Sequence, residues 1–380
     1  MRTCLQHCVA SVRKMVVSGR ADRETLRSLC RLPRELREAL CDDRNFCDSL
    51  SCALWRYGQV MNVQVLKLGC LFETRAKAFE GITHLDVHFI PDHFRVSMPG
   101  VKKLVLREES CDETRMRDPW ISSTYGTWPR TSEMFPNVVD FEMYDGNNPF
   151  QWTEDWHDLT IFPQLRRLVL RVKALFVTET AQKKQRPIVE FRLRETQFSH
   201  GHLKIALDPE TIRSFHSNSR APSKTWWESV KHIDRLSFST ENFPVTPLLG
   251  LTKLFVDINV WESFGSWFLR VAYIVARESA TLKSLTYRFH PEQRGTTFLS
   301  FEELAAGTLA KNHNLDFLVL STHRLLNADE LVELFVFFVP RPENTARARK
   351  KAQRHFCVNS WLYTVNPDRS ISVWAINASS

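Results

Sequence analysis

One apolar pattern recurs along the chain: a first apolar residue, then others three and five positions later, with polar residues between. It appears as Val63, Leu66 and Leu68 in VQVLKL and as Ile82, Leu85 and Val87 in ITHLDV. Three copies carry a preceding proline: MPGVKKLVL (98–106), FPNVVDFEM (135–143) and FPQLRRLVL (162–170). Five more follow as IVEFRL (188–193), IDRLSF (233–238), LTKLFV (251–256), LKSLTY (282–287) and LDFLVL (315–320), which makes ten. Alternating apolar positions put one face of a short strand into a core and leave the residues between them outward. One such unit cannot bury its apolar face, whereas stacked units can, with their strands side by side in a parallel sheet. The pattern therefore predicts an α/β solenoid with a parallel strand face.

Spacing supports stacking. Leu66 to Leu85 and Leu85 to Leu104 are each 19 residues, and Leu236 to Leu254 is 18. The intervals Leu104 to Phe141 (37) and Phe191 to Leu236 (45) are close to two units, so each predicts one hidden copy. Early units have room only for turns or a single helical turn. Later ones predict helices, in WESFGSWFLRVAYIVARES (261–279) and after the capping pair Ser300 and Glu303. Segments 110–133, 145–159 and 181–187 read as loops leaving the array. Residues 1–60 read as a helical module, 61–323 as the solenoid, and 324–380 as a C-terminal cap with a basic loop and a hairpin around NPDRS.

Composition narrows the class. With 380 residues, 43% hydrophobic and 25% charged, this is a globular chain with ample core. Its longest apolar run, LVELFVFFVP (331–340), is too short for a membrane helix and predicts a buried strand or short core helix, and no membrane association is expected. Nine cysteines, an odd number without a secretory segment, point to reduced thiols and a cytoplasmic or nuclear location. The first 21 residues hold Arg2, Arg13, Lys14 and Arg20 without an acid, so a mitochondrial presequence is the alternative. The net charge of +8 is mild, with one dense block at 347–355. There Arg347, Arg349, Lys350, Lys351 and Arg354 read as a solvated loop or as a polyanion or import contact; nucleic acid is a partner not favoured.

Signatures of catalysis are missing: no G-x-G-x-x-G, no phosphate-cradling loop and no G-x-S-x-G elbow. CLQHC (4–8) lacks close cysteine pairing, so no metal is expected, and no cofactor either. DWHD (155–158) and HFIPDHF (88–94) offer acids and imidazoles with nothing to pair them to a nucleophile. The expectation is a protein without catalytic residues. Trp120, Trp128, Trp152 and Trp156 fall in the loop segments, and tryptophan is common interface chemistry, so these four are candidate target contacts.

From about residue 62 to 322 the repeats resemble the leucine-rich-repeat family in an irregular form. Asn259 fits the position where that family's strands are followed by a ladder Asn or Cys, whereas Leu71, Ile90, Glu109 and Lys173 stand at the equivalent places. Ahead of the array, LPRELREAL (32–40) resembles the opening of an F-box, and CALWRYGQV (52–60) its closing helix. TCLQHCVASV (3–12), together with the proline-led segment, is similar to a SOCS box. The resemblance implies a substrate receptor of a cullin-RING ubiquitin ligase. A cullin-ligase adaptor would dock on Leu32, Pro33, Leu36 and Leu40, and an unknown protein substrate would bind the strand face and the tryptophan loops. The alternative is a non-catalytic structural or assembly protein, for example of an organellar ribonucleoprotein.

Overall fold

The structure, a computed structural model, describes residues 4–91, 93–107, 128–147, 149–152, 161–177, 186–197, 203, 207–218, 222–230, 233–238, 250–258, 281–289, 317–321, 354–358, 361–365 and 371–375. The expected helices at 261–279 and after Ser300 lie outside these residues, as do the apolar run 331–340 and Asn259.

Four helices come first: α1 (Cys4–Val17), α2 (Arg23–Cys30), α3 (Arg34–Leu40) and α4 (Arg44–Tyr57). Asp22 and Asp43 start α2 and α4 by accepting the N–H of the third residue on, each at 2.8 Å. Gly58 ends α4 in the left-handed conformation with φ of 60°. There follow β1 (Met61–Asn62), β2 (Val65–Cys70), α5 (Glu73–Ala76), β3 (Phe79–Glu80), β4 (His84–Phe89), β5 (Lys103–Arg107), α6 (Trp128–Met134), β6 (Asp140–Asp145), β7 (Phe150–Trp152), β8 (Arg167–Val172) and β9 (Leu175–Val177). Next are β10 (Glu190–Glu195), β11 (Ser214–Ser217), α7 (Lys224–Ser229), β12 (Arg235–Phe238), β13 (Lys253–Ile258), β14 (Ser284–Phe289) and β15 (Phe317–Ser321). The last are β16 (Arg354–Val358), β17 (Trp361–Val365) and β18 (Ile371–Ala375).

The chain forms two compact units, Met1–Ile188 with Glu195–Gln197, and Val189–Arg194 with Phe198–Ser380. In the first, β2, β4, β5, β6 and β8 pair in that order, all parallel. Register aligns the middle apolar residue of every copy: Leu66, Leu85, Leu104, Phe141 and Leu168 sit side by side. All five are 0% exposed, which is the stacked core the pattern predicts. Single-turn α5 fits the short early unit. Small parallel ribbons, β1 with β3 and β7 with β9, form apart from the main strands.

In the second unit the parallel series continues from β10 through β16, again with the middle residues Phe191, Phe215, Leu236, Leu254, Leu285, Leu318 and Phe356 in register. Strands β16, β17 and β18 are then antiparallel, with β17 and β18 flanking NPDRS as expected. The protein is thus an α/β solenoid with a parallel strand face and a helical N-terminal region.

Two expectations about hidden copies part ways. One does lie between Phe191 and Leu236, as β11 with Phe215. None lies between Leu104 and Phe141, because β5 pairs directly with β6, and the extra length there is an insertion. Within the segments read as loops, 128–134 is helical and 150–152 is a strand.

Candidate interaction surface

The helical region closes an edge. Strand β2 ends the series, and an uncovered edge would expose unpaired backbone groups. Helices α3 and α4 answer them with side chains. Glu38 accepts the N–H of Gln64 at 2.5 Å and of Val65 at 3.2 Å. Both oxygens of Asp48 lie 3.1 Å from the nitrogen of Gly69. Arg13 of α1 donates to the carbonyls of Ala39 (2.6 Å) and Leu40 (3.1 Å), so a cation stands at the C-terminus of α3.

Helix α3 divides its residues between this cap and solvent. Leu40 is 2% exposed and belongs to the core, which removes it from the expected docking set, since a buried leucine has no area to offer a partner. Leu32 and Leu36 are half-buried and Pro33 is exposed. Trp55, in the last turn of α4, is 57% exposed.

The outward positions of β2 to β8 form a charged lattice. Asp86 is buried beneath two arginines: Arg44 Nη2 donates at 2.9 Å, and Arg107 Nε lies 3.0 Å from each carboxylate oxygen. Glu142 accepts from Lys103 Nζ at 2.7 Å, from the Tyr144 hydroxyl at 2.6 Å and from Arg167. Arg167 also binds both oxygens of Asp140, at 2.7 and 2.9 Å. Burial alone would raise the pKa of Glu142, but the hydrogen bonds from Lys103, Tyr144 and Arg167 outweigh it and hold the carboxyl down to about 2. Burial, and then the bond to Glu142, push the Tyr144 phenol up. Burial, seconded by Lys103, lowers the pKa of His84.

Toward the C-terminal ends of the strands the lattice changes. Arg107, Tyr144 and Arg171 are register partners on β5, β6 and β8. The guanidinium carbons of Arg107 and Arg171 lie 4.5 and 4.8 Å from the Tyr144 ring centroid. Arg171 is exposed and has no ion-pair partner among the described residues.

Of the tryptophans expected to meet a target, Trp152 is 0% exposed within β7, packed 6.5 Å edge-on from Phe150. It is a core residue, and that expectation is corrected for it. The backbone of Trp128 begins α6. Trp120 and Trp156 lie outside the described residues, as do the DWHD motif (155–158), Arg347, Arg349, Lys350 and Lys351. Arg354 opens strand β16 and is not in a loop. In the second unit His216 Nδ1 and Ser237 Oγ, on adjacent strands, are 2.7 Å apart. A Ser–His hydrogen bond is one part of a nucleophile's apparatus and by itself assigns no reaction. Among the described residues no three His, Cys, Asp or Glu side chains are gathered to hold a metal, and no helix is long and apolar enough to cross a membrane.

Sequence reasoning missed the lattice because its ion-paired partners are 21 to 42 positions apart along the chain. The equal 19-residue spacing could have placed Lys67, Asp86 and Val105 side by side in advance. No family model matches this chain, and no curated protein matches it significantly.

Proposed function

We propose that this chain is a non-catalytic recognition scaffold acting as the substrate receptor of a cullin-RING ubiquitin ligase. The adaptor docks on Leu32, Pro33 and Leu36, and the strand face of the first unit takes the substrate. One observation carries the reading: the polar contacts that hold the helical cap on β2 come from Glu38, Asp42 and Asp48, and Leu40 is buried, while Leu32, Pro33 and Leu36 are left partly in solvent. An amphipathic helix with a spare apolar edge suits a partner's groove. A charged strand face suits protein recognition.

The organellar alternative requires removal of roughly the first 20 residues as a presequence. Arg13 and Val16 lie in α1, where Arg13 secures α3 and Val16 is 4% exposed, so loss of that helix would open the cap. This favours the receptor.

The test is capture of the tagged full chain from cells, with Leu36→Asp as the comparison. Co-purification of a cullin adaptor with the unaltered chain, lost in the variant at unchanged thermal midpoint, is the expected result. Absence of adaptor, or equal recovery with both chains, overturns the proposal.

A further inference from the structure

We propose that Arg107, Tyr144 and Arg171 form a clamp for an acidic peptide segment of a partner protein. This rests on the scaffold reading and names the chemistry its strand face selects. Elsewhere on that face charge is spent internally: Lys103 and Arg167 are paired to Asp140 and Glu142, and Arg44 to Asp86. The row containing Tyr144 differs. Arg107 spends only its Nε on Asp86, and its terminal nitrogens have no bond among the described residues. Arg171 touches the Tyr144 ring and no acid.

An arginine stacked on an aromatic ring is held in place through its face, which leaves the N–H groups at its edge directed away from the ring. Those edges match a carboxylate in a two-point fork. Here two guanidiniums flank one ring, one from each neighbouring strand, and Tyr144 is itself fixed by its hydroxyl bond to Glu142 at 2.6 Å. The clamp is therefore ordered before any ligand arrives, which lowers the entropy cost of binding.

Charge complementarity also selects the class of occupant. A nucleic-acid backbone presents a continuous run of phosphates and calls for an unbroken basic stripe. Beside this clamp stand Asp86, Asp140 and Glu142, which tie up Arg44, Lys103 and Arg167 and so interrupt any such stripe. A peptide with spaced carboxylates places one at each arginine and none over the acids.

The test uses the purified full chain and a fluorescein-labelled synthetic peptide of alternating glutamate and serine, read by polarisation. Binding is expected to weaken at least tenfold in Arg171→Glu and several-fold in Arg171→Lys, which keeps the charge and loses the fork. Tyr144→Leu, which removes the stacking ring, is expected to weaken it comparably. Arg166→Glu reverses an exposed charge just before β8 and is expected to leave affinity unchanged. Equal losses in Arg166→Glu and Arg171→Glu would reduce the effect to diffuse attraction and overturn the clamp. So would tighter, Arg171-dependent binding of a single-stranded oligonucleotide, or no peptide binding by the unaltered chain. No adaptor takes part, so the clamp can fail while adaptor capture succeeds, and the reverse.

Discussion

The carboxylate of Asp48 brackets the amide of Gly69, with both oxygens 3.1 Å from the nitrogen. A helix thereby supplies the hydrogen bond that a further strand would have given β2. Asp48→Ala removes that acceptor and is expected to cost about 1–2 kcal/mol. A Cβ at position 69 would come within 2.8 Å of Asp48 Oδ2, so Gly69→Ala forces the carboxylate aside and should lose a similar amount. Urea unfolding midpoints of the two variants and of the double variant check this, and the double variant should lose less than the sum.

Leu40 and Leu36, one helical turn apart on α3, should behave differently. Leu40 is 2% exposed, and Leu40→Ala is expected to cost about 2–4 kcal/mol through the cavity it leaves. Half-buried Leu36 should cost no more than about 1 kcal/mol as alanine. Thermal midpoints separate the two, and equal losses would place both in the cap.

Phe141 continues the leucine ladder on β6 and packs 5.2 Å from Phe162. Truncation to alanine is expected to cost about 3–5 kcal/mol, measured by denaturant titration.

Glu142 makes stability depend on pH. Its folded-state pKa, about 2, lies below the ordinary value of 4.5, so its contribution is complete above about pH 4.5 and is lost as pH falls toward 2. Glu142→Gln should therefore lower the unfolding free energy at pH 7 by about 2 kcal/mol, measured by denaturant titration, with the gap to the unaltered chain closing below pH 3. A gap constant from pH 7 to pH 2.5 would show that the carboxylate charge contributes nothing.

How much of this could be read in the chain follows from what each feature depends on. The core ladder was legible because a period of two needs no tertiary information: Leu66, Leu85, Leu104, Phe141 and Leu168 align as the repeated apolar pattern implies, although the spacing misled between Leu104 and Phe141. Strand β11 escaped notice because Ser217 replaces the third apolar residue, and it is nevertheless fully buried. Strand β16 escaped because Gln353 stands where the first apolar residue belongs. Trp152 was misplaced because β7 is three residues long, too short to show a period. The clamp was beyond reach for another reason: Arg107 and Tyr144 become neighbours only because β5 pairs directly with β6 across the long interval between them, and nothing in the sequence announces that.

Gly69 has one more effect. The residues at its place on the following strands are His88, Arg107, Tyr144 and Arg171, all with side chains, so of these five register positions only that on β2 lets the Asp48 carboxylate reach the backbone without moving aside. Strand β2 is therefore the one best fitted to receive the helices. The units share a core pattern but are not interchangeable. A single missing side chain marks the first member of the series, and a circular permutation that moved β2 inward would deprive the helices of the bond from Asp48 to Gly69.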